Sequence, residues 1–97
     1  GYENWVKMAI KFYADKNDVV ILISSSGKSK NIINAAKMTK KMGINLITFS
    51  GFSKNNQLKK LGDLNFWTNS KHYNNIENSH QLWLLSIIDY LIYKKFK

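Results

Sequence analysis

Cysteine and arginine are both absent from the 97 residues. Without cysteine there is no disulfide framework and no thiolate metal site, so a divalent metal such as zinc would have to rely on histidine and carboxylates. Redox chemistry therefore marks no compartment. Without arginine the chain lacks the side chain that reads guanine through two parallel hydrogen bonds. The net charge of +9 rests on 15 lysines alone, scattered along the chain with short pairs at Lys40-Lys41, Lys59-Lys60 and Lys94-Lys95. Such scatter, in a composition also rich in asparagine and isoleucine, describes a solvated surface rather than a nucleic-acid footprint. Long apolar runs are missing too. The longest, residues 82–93, is interrupted by Ser86 and Asp89 and is too short to span a bilayer. No signal-peptide pattern opens the chain. The expectation is a soluble, cytoplasmic protein with neither nucleic acid nor membrane as partner. A chain of this length has room for one core and not two. Its opening, Gly1-Tyr2-Glu3-Asn4-Trp5, lacks an initiator Met and reads as part of a longer open reading frame.

Hydrophobic periodicity supplies the elements. Trp5, Met8, Ala9, Phe12 and Tyr13 recur at the spacing of an amphipathic helix and predict its buried stripe. After the polar stretch Asp15-Lys16-Asn17-Asp18, the run Val19-Val20-Ile21-Leu22-Ile23 is apolar at every position, as expected of a parallel strand covered on both faces. Ile32, Ala35, Ala36, Thr39 and Met42 then mark one face of a helix that begins near Asn31, with Gly43 as its cap. Asn45-Leu46-Ile47-Thr48-Phe49 predicts a second strand, parallel to the first if the helix between them is a right-handed crossover. Residues 55–61 predict a short helix closed by Gly62, and Leu64-Asn65-Phe66-Trp67-Thr68 an alternating strand nearer an edge. A polar loop over 69–75, without proline or glycine, leads to a last helix from Ile76 to about Tyr93. Trp83, Leu84, Ile87, Ile88, Leu91 and Ile92 share one face of it, and Leu82 and Leu85 widen the stripe. A stripe that broad predicts a subunit contact as well as a contact with the sheet.

Ser24-Ser25-Ser26-Gly27-Lys28-Ser29 joins the first strand to the helix after it. The first N–H groups of a helix have no intrahelical partner and carry partial positive charge, so a phosphate is a natural ligand there. Serine hydroxyls add donors, and Gly27 allows close approach of the backbone. Gly27-Lys28-Ser29 copies the tail of a nucleotide-binding P-loop, but the P-loop needs a glycine where this chain has Leu22, inside the strand. No dinucleotide-binding G-x-G-x-x-G is present either. A serine-rich cap without ligand is the plainer reading, yet one serine suffices to cap a helix and four stand here.

Ile23-Ser24-Ser25-Ser26-Gly27-Lys28-Ser29-Lys30-Asn31 resembles the I-S-x-S-G-x-S-x-N signature of SIS domains, the sugar-isomerase family of phosphosugar-binding α/β proteins. Asp18-Val19-Val20 is similar to the family's G-D-V strand entry, and the stretch 43–51 to its G-x-x-V-I-x-x-T-G strand. Gly1-Tyr2-Glu3 resembles the G-Y-E of phosphoheptose isomerases, with whose C-terminal half nearly the whole chain aligns. The resemblance implies a three-layer α/β/α sandwich with a parallel sheet, of which residues 1–97 form the C-terminal portion. It implies that Ser24, Ser25, Ser26 and Ser29, with Gly27 and the N–H groups beyond, hold the phosphate of a sugar phosphate. Lys28 stands where the isomerases commonly have Asn, and either adds a phosphate contact or points into solvent.

The implied reaction is aldose–ketose isomerisation of the sedoheptulose 7-phosphate type. It needs a base that removes a proton beside the carbonyl and an acid that protonates the oxygen. In the resembled subgroup these are a Glu in the N-terminal half, outside this chain, and a His on the last helix. The helix pattern Q-x-x-H-x-x-x-x-H is partly kept: Glu77-Asn78-Ser79-His80 stands at its start, and Leu85 occupies the second His position. Leu85 can neither give nor take a proton. Glu77 and His80, at i and i+3, share a helix face and are the remaining candidates for an acid/base pair or a metal site; a carboxylate that merely stabilises the helix start is the plainer reading of Glu77. Asn74 stands where some relatives have Asp, and His72 reads as a surface histidine. Trp5, Phe12, Trp67 and Trp83 read as core or interface. The alternative function is a non-catalytic phosphosugar-sensing module, and the resemblance further implies a homo-oligomer, dimer or tetramer.

Overall fold

The computed structural model describes residues 4–96, so the Gly1-Tyr2-Glu3 resemblance lies outside the described residues. Seven elements follow one another: α1 (Trp5–Tyr13), β1 (Val19–Ile23), α2 (Lys30–Lys41), β2 (Asn45–Ser50), α3 (Gln57–Leu61), β3 (Leu64–Trp67) and α4 (Tyr73–Phe96). The strands form one parallel sheet in the order β1-β2-β3, with Val19 opposite Asn45 and Ile47 opposite Leu64. Parallel neighbours require a crossover, and α2 and α3 supply the two. This is the predicted α/β arrangement, a parallel sheet with helices.

Two core patches lie on opposite faces of the sheet. On one, Leu22 and Leu46 pack with Ile10 of α1, Ile33, Ala35 and Ala36 of α2, and Leu58 of α3. On the other, Phe49 stacks on Phe66 at 4.9 Å, and both meet Trp83 of α4. Residues two apart on a strand share a face, so Val19, Ile21 and Ile23 fall with Phe49 on the α4 side, where all three remain exposed. The expectation that β1 is covered on both faces is therefore corrected: α4 lies over the aromatic residues of β2 and β3, and β1 is a sheet edge with one bare face.

The turn after α2 is built as the sequence suggests. Gly43 takes φ +72°, its N–H reaches the Lys40 carbonyl, and the Ile44 N–H reaches that of Thr39, which together make a Schellman cap. Asp63 then ties three elements together. Its carboxylate accepts the Leu46 N–H at 2.8 Å and pairs with Lys40, while its own N–H donates to the Leu46 carbonyl. The Lys40 ammonium, helped by the Leu46 N–H, holds the Asp63 carboxyl below the usual carboxylate range.

Several faces differ from those predicted. In α1 the buried residue is Ile10, with Val6 packed beside it, while Trp5, Met8, Phe12 and Tyr13 are exposed. This helix is apolar on more than one side, so periodicity alone does not choose a face. The choice is made by docking on α2, where the Val6 N–H donates to Asn31 Oδ1 at 3.2 Å. In α2, Ile33 is buried and Ile32 and Met42 are only partly so. α3 begins at Gln57, two residues later than expected, and α4 begins at Tyr73, three residues earlier than Ile76. Along α4 the inner line is Ile76, His80, Trp83 and Ile87, whereas Leu82, Leu85, Ile88, Leu91 and Ile92 are exposed. Among the described residues, no helix is long and apolar enough to cross a membrane.

Candidate functional site

The 24–29 loop leaves β1 at the carboxyl end of the sheet and enters α2, the position where ligands bind open parallel sheets. Its first residue extends the strand ladder: the Ser24 N–H donates to the Phe49 carbonyl at 3.0 Å. The chain then folds back on itself. The Gly27 N–H reaches both the Ser24 carbonyl (3.0 Å) and Ser24 Oγ (3.2 Å), and the Lys28 N–H reaches Ser26 Oγ at 3.2 Å. A hydroxyl that accepts a backbone N–H keeps its own proton to donate. Ser24 and Ser26 therefore shape the turn and still each carry one donor.

Exposure separates the serines. Ser24 is 8% exposed, Ser25 and Ser26 are half-buried, Gly27 is buried, and Lys28 and Ser29 are exposed. Ser29 is the N-cap of α2, and its carbonyl accepts the Ile33 N–H at 2.8 Å, but its side chain makes no capping bond. That hydroxyl stands at the positive end of a 12-residue helix with no acidic residue in its first turn. Lys28 and Lys30 flank it with further positive charge. The loop is thus a cluster of hydroxyl donors at a helix N-terminus, in a field that favours an anion.

Gly27 is required twice over. It sits at φ +67°, and a Cβ there would overlap the side-chain amide of Asn56. Asn56 is 3% exposed and caps α3 by accepting the Lys59 N–H at 2.8 Å. Its amide nitrogen reaches Ser50 Oγ, the Gly51 carbonyl and the Ser53 carbonyl at 3.0, 3.2 and 3.0 Å. Sequence reasoning missed this residue; the available signal was an asparagine at the start of a predicted short helix.

Beside the loop, Ile23, Glu77, His80, Gln81 and Leu84 line a recess of about 230 Å³. Glu77 is exposed, whereas His80 is 3% exposed and wedged between Phe49, which meets it edge-on at 5.5 Å, and Trp83, stacked at 6.2 Å. His80 Nε2 lies 2.8 Å from the Ser50 carbonyl. A carbonyl only accepts, so Nε2 carries the proton, and in the neutral imidazole Nδ1 is the free base. Nδ1 is buried and has no hydrogen-bond partner. The structure thus places Glu77 and His80 on one recess with Ile23, the last residue of β1. Gln81, one turn beyond Glu77 on the same helix face, joins them unpredicted. Leu85 is half exposed and is not among the residues that line the recess. His72 is exposed, as expected. Among the described residues, no group of three or more His, Asp or Glu side chains gathers to hold a metal.

Comparison with known proteins agrees with this architecture. The sequence model of the SIS domain family matches residues 2–51, which include the whole serine loop. The chain is 30% identical over 87 residues to a phosphoheptose isomerase of Campylobacter concisus, covering 90% of this chain and 46% of that protein. It is 32% identical over 92 residues to a phosphoheptose isomerase of Aliarcobacter butzleri, covering 92% and 48%. The chain spans about half the length of the curated relatives it matches. A solved phosphoheptose isomerase from Francisella tularensis superposes with a TM-score of 0.85 over 92% of this chain and 48% of that one, at 21% identity, which speaks for the fold.

Proposed function

The chain belongs to the SIS domain family, and we propose that its 24–29 loop holds the phosphate of a sugar phosphate in an aldose–ketose isomerase of the sedoheptulose 7-phosphate type. Residues 1–97 then form the C-terminal portion of one SIS domain. The observation that carries this reading is the Ser29 hydroxyl, without a capping bond at the α2 N-terminus, beside Ser24 and Ser26 hydroxyls that accept backbone N–H groups. The relatives named phosphoheptose isomerase, each covering most of this chain, support the reaction class.

With the phosphate at Ser25, Ser26 and Ser29, the carbon chain of the sugar extends past Ile23 into the recess lined by Glu77 and His80. Isomerisation moves a proton between two neighbouring carbons and between their oxygens. Because Nε2 of His80 is committed to the Ser50 carbonyl, the buried, unpartnered Nδ1 is the atom left to exchange a proton, and the exposed Glu77 carboxylate, one turn back on the same helix face, is the second group. Leu85 takes no part in proton transfer. The bare apolar flank of α4 supports assembly into a dimer or tetramer.

The test is turnover of sedoheptulose 7-phosphate by the full-length protein, followed by the appearance of the aldose. Conversion that is lost in His80→Asn and Glu77→Gln supports the assignment. Saturable binding without conversion, with divalent metal supplied, leaves a phosphosugar-sensing module instead. Binding that falls steeply with salt and ignores sugar phosphates contradicts both.

A further inference from the structure

The serine loop closes its own turn, but its apex is also held by residues from another part of the chain. Within the loop, two long hydrogen bonds to serine hydroxyls and one to a carbonyl close the turn. Its apex is gripped from outside. The Gly27 carbonyl accepts the Leu58 N–H at 3.1 Å, and the Gly27 Cα rests against the Asn56 amide so closely that no side chain fits between them. Asn56 is fixed in turn. Its oxygen caps α3 at the Lys59 N–H, and its nitrogen, with two protons, is shared among Ser50 Oγ and the carbonyls of Gly51 and Ser53. Ser50 also accepts from His80 Nε2 through its carbonyl. A single buried amide thus touches the apex of the loop, the end of β2 and, one residue removed, the imidazole of the recess.

We propose that Asn56 is the positioning residue of the phosphate loop: its amide sets the height of Gly27, and with it the aim of the Ser26 hydroxyl and of the backbone N–H groups that follow. This rests on the phosphate-binding reading above. Asn56 touches no ligand itself; it acts through Gly27, two residues before the α2 N-cap. A shift of a few tenths of an ångström at Gly27 misdirects several donors at once, because all of them converge on one anion. Burial makes the requirement strict at Gly51, whose buried carbonyl takes the Asn56 amide as a donor.

The test uses the full-length protein with inorganic phosphate and with sedoheptulose 7-phosphate as probes. Asn56→Ser keeps an N-cap oxygen for α3 and removes the amide. At a temperature where circular dichroism shows both proteins folded, the variant is expected to bind each probe at least about tenfold more weakly, or 1.4 kcal/mol. In the wild type, saturating phosphate is expected to shift the Asn56 side-chain amide signals in a ¹H–¹⁵N spectrum together with the Gly27 and Lys28 backbone signals. That measurement needs no variant to fold. Equal affinities of folded wild type and Asn56→Ser, or an Asn56 amide indifferent to phosphate while the loop amides move, would overturn the proposal. Wild type that binds neither probe overturns the phosphate-binding reading itself.

Discussion

Two glycines with nearly the same backbone angle separate what a residue needs from what its surroundings need. Gly43 and Gly27 both lie in the left-handed region, at φ +72° and +67°. A Cβ at Gly43 meets nothing within 4 Å, whereas at Gly27 it overlaps Asn56. Gly43→Ala should therefore cost only the conformational term, about 1 kcal/mol. Gly27→Ala adds the displacement of a buried amide and its partners, and should cost about 3 kcal/mol or more by urea unfolding. Equal costs would show that Asn56 yields easily. At the loop, Ser26→Ala removes a hydroxyl that the proposed site turns toward the phosphate, and should weaken phosphosugar binding about tenfold by calorimetry. Ser24→Ala should weaken it as well, through loss of the turn at Gly27. Unchanged affinity in both would sink the site assignment. The serine turn between β1 and α2 was legible in the sequence because its pattern is local. Asn56 was not, because its burial follows from the loops after β1 and β2 meeting at residues 27 and 56, which no local pattern encodes.

The elements read from periodicity are the observed ones, and their errors have physical causes. β1, β2 and β3 are apolar runs bounded by polar loops, and their ends fall within a residue of expectation. α4 starts earlier than predicted because Tyr73-Asn74-Asn75 contains no proline or glycine to forbid a helix, however weak its propensity. α1 is apolar on more than one side, with Lys7 and Lys11 on the remaining face, so its docking on α2 decides that Ile10 is the buried residue. Where three elements meet, Asp63 gives a pH prediction. Its folded pKa lies below the ordinary value of 3.8 because of Lys40 and the Leu46 N–H. The stability it contributes is present above the unfolded value and is lost as pH falls through the folded one. Wild type should accordingly be more stable than Asp63→Asn at neutral pH. The gap should close in acid, and a gap constant from pH 7 to pH 2 would contradict the assignment (roughly the window spanned by carboxylate titration).

At the scale of the whole molecule, the carboxyl end of the sheet gathers the serine loop, the Asn56 clamp and the Glu77–His80 recess, while the apolar edge of β1 and the outer flank of α4 stay bare. If the proposed assembly uses the α4 flank, Ile88→Lys with Leu91→Lys should lower the oligomer mass of the full-length protein in light scattering. An unchanged mass would remove α4 from the interface. The central claim concerns the other end of the molecule and is tested most directly by titrating ¹⁵N-labelled full-length protein with sedoheptulose 7-phosphate. The account predicts saturable shifts concentrated at the backbone amides of Ser25, Ser26 and residues 28–31, absent with the unphosphorylated sugar. Saturation with those amides unmoved, or shifts spread over the scattered lysines, would contradict it.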